Sequence, residues 1–218
     1  ARLGGMGTIL LQSLNAWWPE TILSLGALAA MVVGVSSRRC EPVLIVGWLS
    51  LFGSGFALWH ASVPAGTSVF FGVILCDPFS LVFRWVAWGS VALVLSLLMA
   101  SREVDPSRGG EYVGLLLLIG VGLMLMAEAN HLLMAYVAME LVSLSSYLLV
   151  GFLDEPRYSE ASLKYLLFGA LASGIMLFGM SLLFGLTGEL GFPELLKASA
   201  GLSGPMMGVL LLAITLML

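Results

Sequence analysis

Residues 130–185 read NHLLMAYVAMELVSLSSYLLVGFLDEPRYSEASLKYLLFGALASGIMLFGMSLLFG, and this stretch decides the fold. Two apolar runs, each long enough for a membrane-spanning helix, flank a polar turn at 154–159, and each carries one ionisable residue, Glu140 or Lys164. A charged side chain near the centre of such a helix costs about 2.5–3.5 kcal/mol on insertion scales. Residues of this kind face a bundle interior or a water-filled path. Glu140 lies near the middle of a span predicted at 130–153. Tyr136, Glu140, Ser143 and Tyr147 follow i, i+4, i+7 and i+11 spacing, so they share one helix face. Such a stripe can hold a proton, or the water that delivers it; the plainer alternative is a neutral carboxyl that binds helices together. Burial opposes charge on Glu140 and Lys164 alike, whereas mutual attraction favours it, and that opposition makes a switchable site. At 1.5 Å per residue, Lys164 is expected several ångströms cytoplasmic of Glu140, where snorkelling to the headgroups competes with a relay role.

Working outward, the chain is 60% hydrophobic and only 10% charged, which excludes an ordinary soluble domain with about a quarter of its residues charged. Apolar runs of about 20 residues recur between short polar breaks, whereas the alternation of an outer-membrane barrel is absent. The expected fold is all-α: a polytopic transmembrane helix bundle with six complete spans and a truncated seventh. The small net charge of −4 is scattered, so no nucleic-acid partner is expected and the lipid bilayer is the surrounding medium. Cys40 and Cys76 fall on opposite sides of the bilayer and neither has a metal-ligand neighbour, so no metal site is expected. Methionine and glycine, though abundant, read as membrane packing rather than a cofactor box.

The spans are predicted at about 19–36, 42–60, 77–100, 111–128, 130–153 and 160–186. A short interfacial helix follows at about 193–199, and the seventh run starts near Pro205. Between spans two and three, residues 69–75 are too short to cross and read as a hairpin arm or an interfacial segment; Pro64 and Gly66 precede them. The amino end lacks the pattern of a cleaved signal, and the apolar run reaching Leu218 is too short to span, so a longer natural polypeptide is expected. Two segments are read: 1–110, a three-helix membrane segment, and 111–218, the start of a larger repeat.

One set of loops collects Arg38, Arg39, Arg102, Arg108 and Arg157 and the other only Arg2 and Lys197, which predicts an amino terminus on the periplasmic or outer side. Arg102 and Arg108 share their loop with Glu103 and Asp105. Arg84, seven residues after Asp77, is expected to lean toward the outer surface as an anchor, and Glu20 and Glu128 to meet water at helix ends. His131 is a possible outer-side proton path, weighed against an ordinary interfacial histidine. The spacings Gly169 to Ser173 and Ala170 to Gly174 suggest close helix packing.

With these residues in view, MELVSLSSYLLVGF at 139–152 followed by EASLKYLLFGALASGIMLFGMSLLFG at 160–185 resembles the antiporter-like membrane subunits of respiratory complex I, NADH-quinone oxidoreductase. The resemblance implies that Glu140 is the carboxylate of a proton-channel charge pair and that Lys164 contributes to the relay, with further lysines beyond Leu218. It also implies a chain without redox cofactors, whose NADH, FMN, iron–sulfur clusters and quinone belong to partner subunits, set among other membrane-arm subunits in a bacterial inner membrane. A multi-subunit cation/proton antiporter is the alternative of shared ancestry, and a purely structural scaffold is a third.

Overall fold

The computed structural model describes residues 16–37, 40–60, 67–101, 104–153 and 156–218. The expectations resting on Arg2, Arg38, Arg39, Pro64, Gly66, Arg102, Glu103 and Asp154 lie outside the described residues.

Apolar sequence dictates helix here, because in lipid every backbone polar group needs a partner within its own segment. The helices are α1 (Trp18–Ser37), α2 (Cys40–His60), α3 (Pro78–Ser101), α4 (Gly109–Glu128), α5 (Leu132–Val150), α6 (Pro156–Thr187), α7 (Phe192–Ser199) and α8 (Pro205–Met217). Among the described residues, α1 to α6 are the six helices long and apolar enough to cross a membrane. The short segment before α3 is a two-stranded antiparallel hairpin, β1 (Thr67–Val69) and β2 (Ile74–Cys76), with Thr67 opposite Cys76.

The most enclosed span is α4, which packs against α1, α2, α3 and α5. Val113, Leu117, Val121 and Met124 line its buried side. Small residues make this possible: a Cβ on Gly34 would fall 2.5 Å from the Gly110 Cα, and one on Gly110 would fall 2.6 Å from the Gly34 Cα. Here α1 and α4 cross backbone to backbone. A larger apolar cluster draws on residues from Ala16 to Ala138, and a second joins Leu132, Met180, Leu183, Leu195, Leu210 and Ala213 from α5 to α8.

Only residues 129–131 link α4 to α5, so the two helices run antiparallel. Asn130 in this link ties three segments at the end of the bundle where α1 begins, called the amino-terminal face below. Its backbone N–H donates to the Val73 carbonyl at 2.9 Å and its side-chain amide to the Gly72 carbonyl at 3.0 Å. Its own carbonyl accepts from the Phe192 N–H at 3.1 Å.

The sixth span begins earlier than expected. Helix α6 starts at Pro156 rather than near residue 160, because proline suits a first helical turn and the polar residues after it are good enough helix formers. Glu160 and Lys164 therefore lie in its second and third turns rather than at its start.

Candidate functional site

Glu140 is the ninth of the 19 residues of α5, about 12 Å along the axis from Leu132 at 1.5 Å per residue. It therefore sits at mid-span. Gly122 of α4 packs against Ala138 and Val142, which fixes the face of α5 turned toward α4. By the 100° per residue of a helix, Glu140 points away from that face. Its stripe faces α6 instead. Tyr136 joins the cluster of Met176, Met180 and Leu183, while the Tyr147 ring meets Tyr165 edge-on at 4.6 Å. Ser162 Oγ also donates to the Tyr147 carbonyl at 2.7 Å.

Between these two anchors, the Tyr136 phenol lies beside the Glu140 carboxyl, and Glu140 Oε1 is buried with no hydrogen-bond partner. Ser143 is half-buried on the same stripe. His131 precedes α5 as its extended N-cap residue and forms a β-bridge to Gly191.

Lys164 is not brought to Glu140. Its ammonium pairs with Glu160 one turn earlier on α6, at 2.5 Å, and both side chains are about two-thirds exposed. Because Tyr147 packs against Ser162, Tyr165 and Gly169, Lys164 lies level with Tyr147, about 10 Å along the axis from Glu140. Of the small-residue pairs, Gly169 admits the Tyr147 hydroxyl, whereas a Cβ at Gly174 would meet open space.

The expectation for Arg84, Glu20 and Glu128 is corrected. Arg84 does not lean outward and the two carboxylates do not meet water: all three are buried, at 3%, 0% and 2% exposure. Arg84 Nη2 donates to both oxygens of Glu20, at 2.7 and 2.8 Å, and Nε adds a bond of 3.0 Å to Oε1. Nη1 pairs with Glu128 Oε1 at 2.5 Å. The start of α1, the second turn of α3 and the last residue of α4 converge beside the hairpin. The planar guanidinium fork satisfies a carboxylate there better than a snorkelling side chain would. Asp77, seven residues before Arg84, is used differently: its Oδ1 accepts from the Ser80 N–H at 2.6 Å and caps α3. Beside this triad the buried Cys76 thiol is pushed up to about 11, chiefly by burial.

One signal in the sequence bears on the triad without identifying its pairing. Glu20, Arg84 and Glu128 were each assigned to spans near the same membrane face, and two of one sign with one of the other invite pairing.

A sequence profile described as NADH:quinone oxidoreductase/Mrp antiporter, TM, matches residues 129–218, which include the whole Glu140 stripe, His131 and Lys164 but none of the triad. NADH-quinone oxidoreductase subunit N of an Anaeromyxobacter species is 37% identical over 83% of this chain and 36% of its own length. Subunit N 1 of Rhizobium meliloti is 37% identical over 87% of this chain and 40% of its own length. Among solved structures, a chain of respiratory complex I from Thermus thermophilus with bound aureothin superposes with a TM-score of 0.70 at 29% identity, over 91% of this chain and 42% of that one. The chain thus spans well under half the length of these relatives. Residues 129–218 match the membrane family of NADH:quinone oxidoreductases and Mrp antiporters, and the chain is similar to members named subunit N.

Proposed function

We propose that this chain is part of a subunit N of a bacterial NADH-quinone oxidoreductase, a proton-translocating membrane-arm subunit in which Glu140 binds and releases the proton. The observation that carries the reading is Glu140 itself: at mid-span, one carboxylate oxygen is buried without a partner, on a face shared with Tyr136, Ser143 and Tyr147. A carboxylate with an unanswered oxygen in that position is costly as an anion and is relieved by a proton or by a cationic partner. Loading from one side and release to the other requires only that the partner or the hydration change between the two states.

Lys164 and its Glu160 partner lie toward the opposite face, on an exposed side of α6. They form a relay position about two turns from Glu140 rather than its direct counter-ion. His131 is the proton path at the amino-terminal face. The redox cofactors and the quinone belong to partner subunits, and other membrane-arm subunits surround this one in the inner membrane. The amino terminus lies on the periplasmic side. The close identity to two proteins named subunit N favours this reading over a cation/proton antiporter, which the family also contains.

The test is Glu140→Gln in the full-length protein within its assembly, in sealed membrane vesicles supplied with NADH and quinone. Proton uptake is expected to fall at least several-fold, with coupled quinone reduction falling alongside it and no dependence on sodium. Unchanged proton uptake would remove Glu140 from the mechanism, and sodium-dependent exchange without NADH would favour the antiporter.

A further inference from the structure

The buried triad does not balance its charge. Two carboxylates face one guanidinium, so the fully ionised group leaves one negative charge unanswered inside the protein. Arg84 distributes its donors unevenly: Nε and Nη2 serve Glu20, Nη2 also reaches the Ala16 carbonyl at 3.4 Å, and only Nη1 reaches Glu128. Both oxygens of Glu128 are buried and neither makes a hydrogen bond; Oε1 has its ion-pair contact with Nη1, and Oε2 has no partner at all. The deficit therefore sits on Glu128, because both oxygens of Glu20 are already answered.

An orphaned carboxylate oxygen in apolar surroundings takes either a cation or a proton. A metal cation needs several oxygen ligands around it, and among the described residues no group of three or more His, Cys, Asp or Glu side chains is arranged to hold one. A proton needs only the one oxygen. Glu128 also lines a cleft of about 610 Å³ between α3 and the end of α4, walled by Phe79, Phe83 and Leu123, with Asp77 and Ala129 in its lining.

We propose that Glu128 is a second proton-binding group, separate from Glu140, which carries a proton on Oε2 and exchanges it through this cleft with the amino-terminal face. With that proton in place Glu128 is a neutral acid whose Oε1 stays in contact with Arg84 Nη1, and Glu20 with Arg84 forms a neutral ion pair. The titratable and charged groups around it are Glu20 on α1, Arg84 and Asp77 at the start of α3, Cys76 on β2, and His131 in the link to α5. Glu20 controls the site, because it occupies the donors that would otherwise stabilise an ionised Glu128. The assignment does not depend on the role of Glu140.

The experiment is infrared difference spectroscopy of the purified full-length protein at neutral pH in light and heavy water, together with its thermal midpoint. The wild type is expected to show the deuterium-sensitive carbonyl stretch of a protonated buried carboxyl. That component is lost in Glu128→Gln and also in Glu20→Gln, where Glu128 ionises as the sole counter-ion of Arg84. It persists in Glu140→Gln. Glu128→Gln mimics the neutral acid, so its thermal midpoint stays at the wild-type value. A spectrum unchanged by Glu128→Gln, or a fall in midpoint as large as that caused by Arg84→Leu, overturns the proposal.

Discussion

Arg84 touches Glu20, Glu128 and the Ala16 carbonyl at once, and no other described side chain joins the first, third and fourth spans in this way. Its removal leaves carboxylates buried without a cation, a loss that costs about 3–5 kcal/mol in comparable buried pairs. Arg84→Leu in the full-length protein is therefore expected to lower the thermal midpoint sharply. A midpoint at the wild-type value would mean that the triad contributes nothing to the stability of the bundle. The triad was not legible from sequence, although each member stood out there as an ionisable residue. Hydropathy measures depth along one helix, whereas Glu20 and Arg84 are 64 residues apart and meet only through tertiary packing. Spacing along its own element puts Arg84 on the same face as Asp77, but Asp77 caps its own helix through Ser80. Glu140 was legible, because mid-span depth is a property of a single run of sequence. The separation of Lys164 from Glu140 followed for the same reason.

At the scale of the element, all six spans were readable, since a lipid-crossing helix announces itself by length and composition alone. The hairpin was readable as a segment too short to cross. The start of α6 was not, because hydropathy detects where apolar residues begin and the helix begins about one turn earlier on polar ones. Nor did sequence reveal which small residues carry contacts: Gly169 admits Tyr147, while Gly174 has nothing against it. The tightest contact is the crossing of α1 and α4 at Gly34 and Gly110, where the clash would be with backbone, which cannot rotate away. Gly34→Ala and Gly110→Ala are each expected to cost about 1–3 kcal/mol by overpacking, read as a lower thermal midpoint. Gly174→Ala is the control, with no loss expected. Equal midpoints for all three would show that α1 and α4 approach less closely than described.

For the whole molecule, the distribution of arginines predicts which face meets the cytoplasm, and two exposed positions test it. Phe71, 84% exposed at the hairpin turn, lies at the amino-terminal face, and Ser107, also exposed, lies at the other. In a cysteine-free background, Phe71→Cys is expected to react with a membrane-impermeant maleimide from the periplasmic side, and Ser107→Cys only from the cytoplasmic side. The reverse pattern would invert the topology and exchange the two sides assigned to the proton path.

The knot at Asn130 bears on both acidic sites. Because one residue holds the hairpin, the entry to α5 and the first turn of α7, a tug on any one strap is felt by the other two. A neighbour pressing on the short surface helix would thus shift the helix that carries Glu140 and the roof beside Glu128 together. Two hydrogen-ion ledges that share no side chain would still be moved by the same lever.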